Sequence, residues 1–160
     1  MHRVHKIKLE PTQEQAIYFA RACGVARFAF NWALAEWKKE YEAGGKPNEA
    51  ALRKRLNSIK AEEFPWMAEV TKVAPQNAIK NVGAAFQNFF RRVKQGGKPG
   101  YPRFKRKGVH DSFRADNGPK DATSHAVKCS GKTVKLPCCG VVRMREQLRF
   151  SGRVLSATVS

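Results

Sequence analysis

Residues 89–114, FFRRVKQGGKPGYPRFKRKGVHDSFR, hold nine Lys or Arg and a single Asp. Cations this dense, with almost no counter-charge among them, point to contact with phosphate oxygens. The candidate phosphate ligands are Arg91, Arg92, Lys94, Lys98, Arg103, Lys105, Arg106, Lys107 and Arg114. The glycines in the run let backbone N–H groups approach such oxygens closely. Tyr101 and Phe104 sit among the cations. A ring so placed can stack on an unpaired base, which is worth on the order of 1–3 kcal/mol. The competing reading is a solvated linker whose rings pin it to a core. Charge favours contact, and the rings alone decide nothing.

Bond-breaking chemistry has less to work with. Metal-dependent phosphodiester cleavage gathers several carboxylates on one or two ions. After Glu69 the only acids are Asp111, Asp116, Asp121 and Glu146. Each lies near a turn or a cation and reads as a surface charge. There is no Walker-type phosphate loop, no GxSxG and no HExxH. Cys138 and Cys139 are adjacent, whereas zinc-ligand pairs typically enclose about two to four residues. With Cys129 and His125 they make a poor metal site, and Cys23 sits at helical spacing from Phe19 as a core residue would. No metal or other cofactor is expected, and no autonomous nuclease activity.

The whole chain shares the bias of the run. It has 160 residues, with 31 Lys or Arg against 13 Asp or Glu, a net charge of +18. Such a surface attracts polyanions, and nucleic acid is the partner class adopted here. Hydrophobic residues make up 42% of the chain, enough for a real core. No apolar run approaches the roughly 20 residues of a membrane span. MHRVHKIKLEPT has no signal-peptide core. The expectation is a cytoplasmic protein with reduced cysteines and no membrane association.

These residues need elements to hold them. HRVHKIKLEP alternates, with Val4, Ile7 and Leu9 apolar, and reads as a strand stopped by Pro11. Thr12 opens a helix, with Gln15 as its capping-box partner, and Gly24 is expected to end it. A second helix, VARFAFNWALAEWKKEYEAGG, is apolar on two faces and reads as central, its rings in the core. A third covers roughly residues 48–60, with Leu52, Leu56 and Ile59 inward. A single turn around Trp66 follows. The fourth begins near Pro75 and is strongly two-sided. Ala78, Ile79, Val82, Ala85, Phe86, Phe89, Phe90 and Val93 form its apolar face; Gln76, Lys80, Gln87, Arg91 and Lys94 form its polar stripe. Beyond residue 110 come DSFRAD, AVKCSG, KTVKLP, GVVRMRE and GRVLSATVS, short strands between turn residues. They predict a small barrel or curled sheet. A chain ending on a strand pattern is expected to be a truncated or fragmentary product.

The order of these motifs resembles a known family. KIKLEPTQEQ, FAFNWALAEWKKEY, AFQNFFRRVKQGGKPGYPRFKRKGVHDSFR, VKLPCCGVVRMR and GRVLSATVS are similar, in that order, to the N-terminal region of the TnpB/OrfB proteins of insertion sequences. These are related to type V CRISPR effectors. The resemblance covers residues 3–160. It implies an α+β chain: a small wedge-like β-barrel split by an inserted bundle of about four helices. The first barrel strand would be 1–11, the helical recognition domain 12–95, the basic linker 96–110 and the rest of the barrel 111–160. It implies guide RNA and target DNA as partners. The RuvC carboxylates and zinc-ribbon cysteine pairs of the family have no counterpart here, so the family's nuclease chemistry is not expected of this chain. A bacterial or archaeal cell, with the protein near its nucleoid, is the implied setting.

Sequence reading of DNA is expected at the start of the fourth helix. Recognition helices commonly present their first turn to bases. Gln or Asn can bond two edges of adenine, and Lys can reach guanine acceptors. Lys72, Gln76 and Asn77 are therefore the candidate motif readers, and Lys80 a phosphate contact. The matching segment of TnpB-like proteins is implicated in the same task. Two alternatives stand beside this reading. One is a stand-alone helix-turn-helix DNA-binding protein, acting in transposition or repression, with its turn at Cys23-Gly24-Val25. The other is a nuclease whose catalytic half is separately encoded and docks here.

Overall fold

The fold, obtained as a computed structural model that describes residues 1–117 and 126–160, is α+β. Three α-helices lie between two stretches of antiparallel sheet in sequence. The first strand, β1, is Leu9–Glu10. It is far shorter than the alternation over 1–11 predicts, and Val4 is 93% exposed. Alternation needs a facing surface to become a strand, and only Leu9 and Glu10 find one, against Met144 and Arg143.

Helix α1 runs Gln13–Glu42. Its start follows the capping box: Gln15 N–H donates to Thr12 Oγ1 at 3.2 Å, and Thr12 N–H to Gln15 Oε1 at 3.0 Å. Gly24 does not end it, so the expected turn at Cys23-Gly24-Val25 is absent and two expected helices are one. The reason is burial. Ala22, Ala26, Ala29 and Ala33 recur at four and three residues and are all buried, so the apolar row passes Gly24 without a change of phase. An internal glycine costs roughly 1 kcal/mol relative to Ala, less than the packing around it supplies. Thirty residues make a rod about 45 Å long.

Helix α2, Glu49–Glu63, is capped by Asn48, whose Oδ1 accepts from Ala51 N–H at 2.9 Å. Leu52 and Leu56 are buried, and Ile59 packs beside them. A Cβ on Gly83 would come within 3.1 Å of the Glu49 side chain, so that glycine sets how closely α2 approaches the next helix. A 3-10 turn, Pro65–Glu69, surrounds Trp66 as expected. Helix α3 is Val73–Lys94 and starts two residues before Pro75. Ala74, Ala78, Ile79, Val82 and Phe86 face the core, with Trp37 of α1 stacked on Phe86 at 4.4 Å.

The remaining strands are β2 (Phe113–Asp116), β3 (Lys128–Ser130), β4 (Thr133–Leu136), β5 (Gly140–Met144) and β6 (Ser156–Val159). All five fall where the sequence places them. They do not close a barrel: among the described residues β1-β5-β4-β3 form one antiparallel sheet, and β2 pairs with β6 in another. α3 packs against β2, and Asn77 Nδ2 donates to Asp116 Oδ2 at 2.7 Å. Val134, Leu136, Val142 and Met144 turn inward from the larger sheet onto Ala115 and Val127. The other side of that sheet shows Lys128 directly opposite Lys135, with Val141 beyond it in the row and Arg143 opposite Thr133.

Two cores result, and α1 joins them. Phe19 packs against both. The Tyr18 hydroxyl donates to Pro137 O at 3.1 Å and accepts from Thr71 N–H at 3.2 Å. Gln15 Nε2 donates to Val141 O at 2.8 Å. Among the described residues no helix is long and apolar enough to cross a membrane.

Candidate nucleic-acid interface

The basic run leaves α3 at Lys94 and returns across α1 before entering β2. It is fastened at three points. First, the Tyr101 ring meets Phe86 and Phe89 edge-on, at 5.6 and 5.4 Å between centroids. Second, Asn31 of α1 grips the backbone of Lys105. Lys105 N–H donates to Asn31 Oδ1 at 2.8 Å, and Asn31 Nδ2 donates to Lys105 O at 3.0 Å. Lys105 Nζ lies 4.9 Å from the centre of the Phe30 ring, a cation–π contact. Third, Asp111 accepts from Arg27 at 2.5 Å and from Gly108 N–H at 2.8 Å. The Gly108 amide, then the Arg27 guanidinium, hold the Asp111 carboxyl below the usual carboxylate range. Gly108 and His110 take φ of +77° and +53°, which lets the chain turn sharply into that bond.

Between the fastenings Arg103, Phe104, Arg106 and Lys107 face solvent, as does Lys98 just before the first of them. Phe104 is 58% exposed. The rings differ in their contacts rather than their exposure: Tyr101 is 49% exposed but meets Phe86 and Phe89, while Phe104 makes no ring contact among the described residues. Lys105 is half-buried over a ring, so its charge is less free than those of its neighbours. Gly100 lies beside the Arg92 guanidinium, which brings the start of the run against the end of α3. Arg91 Nη2 donates to Asn88 Oδ1 at 3.0 Å, and Arg92 and Lys94 are exposed. Arg114 is exposed but ion-paired to Asp116 at 2.6 Å.

At the other end of α3, Lys72 holds the N-cap position, with no side chain capping the helix. Lys72 and Lys80 are exposed and Gln76 is half-buried. Asn77 parts from them: it is 9% exposed, and its amide is spent on Asp116. A base reader needs a free amide at the surface, so Asn77 is a packing residue here, one position off the polar stripe.

Among the described residues the carboxylates do not converge. Asp111 is tied to Arg27, Asp116 to Asn77 and Arg114, and Glu146 to Arg149 at 3.0 Å with His5 at 3.5 Å. Asp121 and His125 lie outside the described residues. Among the described residues no three His, Cys, Asp or Glu side chains are placed to hold a metal. Cys138 is exposed; burial raises the Cys129 and Cys139 thiols above their usual range.

Sequence reasoning missed Arg27 and Asn31, the two α1 residues that fix the run. A signal was present. They are four apart, on one helix face, and polar within the otherwise apolar stretch VARFAFNWALA. Asn31→Ala should leave the Lys105 amide and carbonyl without their partner, costing about 1–3 kcal/mol. Trypsin cleavage after Arg103, Lys105 and Arg106 should then accelerate several-fold while α1 stays helical. An unchanged digestion rate would mean the run is held by something else.

The family model of the OrfB helix-turn-helix domain matches residues 1–46. In this structure that stretch holds β1, one uninterrupted helix and its C-cap. A protein of Escherichia coli strain K12, InsQ, named as an RNA-guided DNA endonuclease, is 31% identical over 157 residues. The match takes in 97% of this chain and 36% of InsQ. A Mycobacterium tuberculosis protein named in the same way is 30% identical over 94% of this chain and 36% of its own length. The virulence protein VsdF of Salmonella dublin is 31% identical over 67% of this chain and 95% of its own. The chain thus spans about a third of the length of the endonuclease-named relatives. Its sequence, matched almost from end to end, makes it a member of the TnpB/OrfB family of insertion-sequence proteins.

Proposed function

We propose that this chain is the nucleic-acid-binding N-terminal portion of a transposon-associated RNA-guided protein. It holds guide RNA and target DNA and contributes no nuclease chemistry of its own. In this reading the helices between residues 12 and 95 face the target, and Lys72 and Gln76 read its adjacent motif. The basic run over 96–110 follows phosphates. The sheets from 1–11 and 111–160 act as a wedge-like support. The observation that carries the reading is the fixed, acid-free course of residues 98–107. Lys98, Arg103, Arg106 and Lys107 are exposed there on a backbone clamped by Asn31. Cations held in place lose little entropy on meeting a polyanion, which a loose linker would.

The match of residues 1–46 to a helix-turn-helix model favours a second reading, a DNA-binding protein that needs no RNA. The continuous α1, with its rings except the 63%-exposed Tyr41 packed in or against the core, counts against a groove-reading turn at Gly24. Sequencing the RNA that purifies with the chain separates the two. Enrichment of one RNA species supports the guide reading, and its lack removes it. With that RNA bound, a randomised-motif DNA selection tests the helix. Gln76→Ala should flatten preference at one motif position, a loss of about 1–3 kcal/mol of discrimination. Lys80→Ala should lower affinity evenly for all sequences. An unchanged preference profile for Lys72→Ala and Gln76→Ala would end the assignment of these residues.

A further inference from the structure

Phe90 is the outer end of a ladder of rings. Trp37 stacks on Phe86 with 6° between planes. Phe90 follows at 6.3 Å from Phe86, tilted by 31°. Phe89 braces Phe90 edge-on at 5.3 Å, and Tyr101 braces both Phe86 and Phe89 from the basic run. The ladder starts against the core and finishes with Phe90 45% exposed. Its last ring is thus held at a set tilt, with little freedom left to lose on binding.

The charges around it select the occupant. Arg91, Arg92, Lys94 and Lys98 follow directly in sequence, and no acidic residue occurs between Glu69 and Asp111. A second copy of a chain with net charge +18 would bring like charges together at this patch. An unpaired nucleobase brings a flat π-face and a phosphate backbone at once, which is what a ring flanked by cations accommodates.

We propose that Phe90 is a stacking platform for an unpaired base of single-stranded nucleic acid. It continues the Trp37–Phe86 ladder by one layer, while Arg92 and Lys94 meet the flanking phosphates. This rests on the nucleic-acid reading above and adds a site to it.

The experiment compares a single-stranded oligonucleotide with an abasic strand of the same length and charge. The native chain should prefer the strand with bases by about tenfold, the effect of one good stacking contact. Phe90→Ala should abolish most of that preference while leaving the salt dependence of binding intact. Phe90→Trp should keep the preference, and its fluorescence should be quenched by the base-bearing strand only. Full preference retained in Phe90→Ala, or no quenching in Phe90→Trp, overturns the Phe90 assignment and leaves the nucleic-acid reading standing. Absence of salt-dependent binding to either strand overturns both. A dimer in the free protein that Phe90→Ala dissolves would assign the ring to a second copy instead.

Discussion

Raising the salt from 50 to 200 mM should weaken single-strand binding by on the order of a hundredfold. Each phosphate neutralised by a cation releases counterions and adds about −0.7 to the slope of log K against log salt for single strands. Lys80, Arg92, Lys98, Arg103, Arg106 and Lys107 are exposed. If about five phosphates are met, the slope is about −3.5, and a fourfold rise in salt gives the stated loss. The structure refines the expectation for the joint change Arg103→Ala, Lys105→Ala, Arg106→Ala. Lys105 spends its ammonium on the Phe30 ring, so the slope should shrink by about 1.4, for two phosphates rather than three. Affinity should fall for all sequences alike. A slope near zero in the native chain would remove phosphate contact from the account. An unchanged slope in the triple variant would move it off the run.

Phe113→Ala should be the most damaging single truncation near the interface. Phe113 is 2% exposed at the start of β2. Its ring lies 6.2 Å from Tyr18 and 5.9 Å from Phe19 between centroids. Emptying a buried Phe site costs about 3–5 kcal/mol. For a chain of this size that is a fall in melting temperature of roughly 10 °C. Phe104→Ala, nine residues earlier and exposed, should stay within about 0.5 kcal/mol. The two variants in one urea titration make the contrast. A loss below about 1 kcal/mol for Phe113→Ala would show that the helical core tolerates losing its link to the sheet.

Features set by neighbours in sequence were legible. The Thr12–Gln15 capping box, the two-sided α3 and five of the six strands among the described residues follow from local spacing and turn chemistry. What failed depends on distant partners. The N-terminal alternation predicts a strand over eleven residues, but a strand forms only where β5 meets it, at Leu9 and Glu10. Gly24 reads as a stop by propensity, and the buried alanine row overrides it. Barrel closure requires long-range pairing between short strands, which no local pattern specifies; among the described residues the strands divide into two sheets instead. At the site, composition located the basic run and its exposed cations. It did not tell Tyr101 from Phe104, because anchoring and presentation differ only in what lies across the gap. Asn77 differs from Gln76 by one position, yet that rotates its amide from the polar stripe to Asp116.

The opposed lysines on the larger sheet have a consequence for self-association. Among the described residues β3, of three residues, is an edge strand, and an open edge is a template onto which another chain can add. Lys128 stands on that edge, facing Lys135 one strand in. Like charges placed directly across a ladder weaken the pair they sit on. They also oppose any incoming strand that would set a third cation in the same row. The sheet thus gives up a little of its own stability and in return resists fibrillar stacking. That safeguard matters most where the protein is crowded along a polyanion, with its other charges neutralised and copies close together.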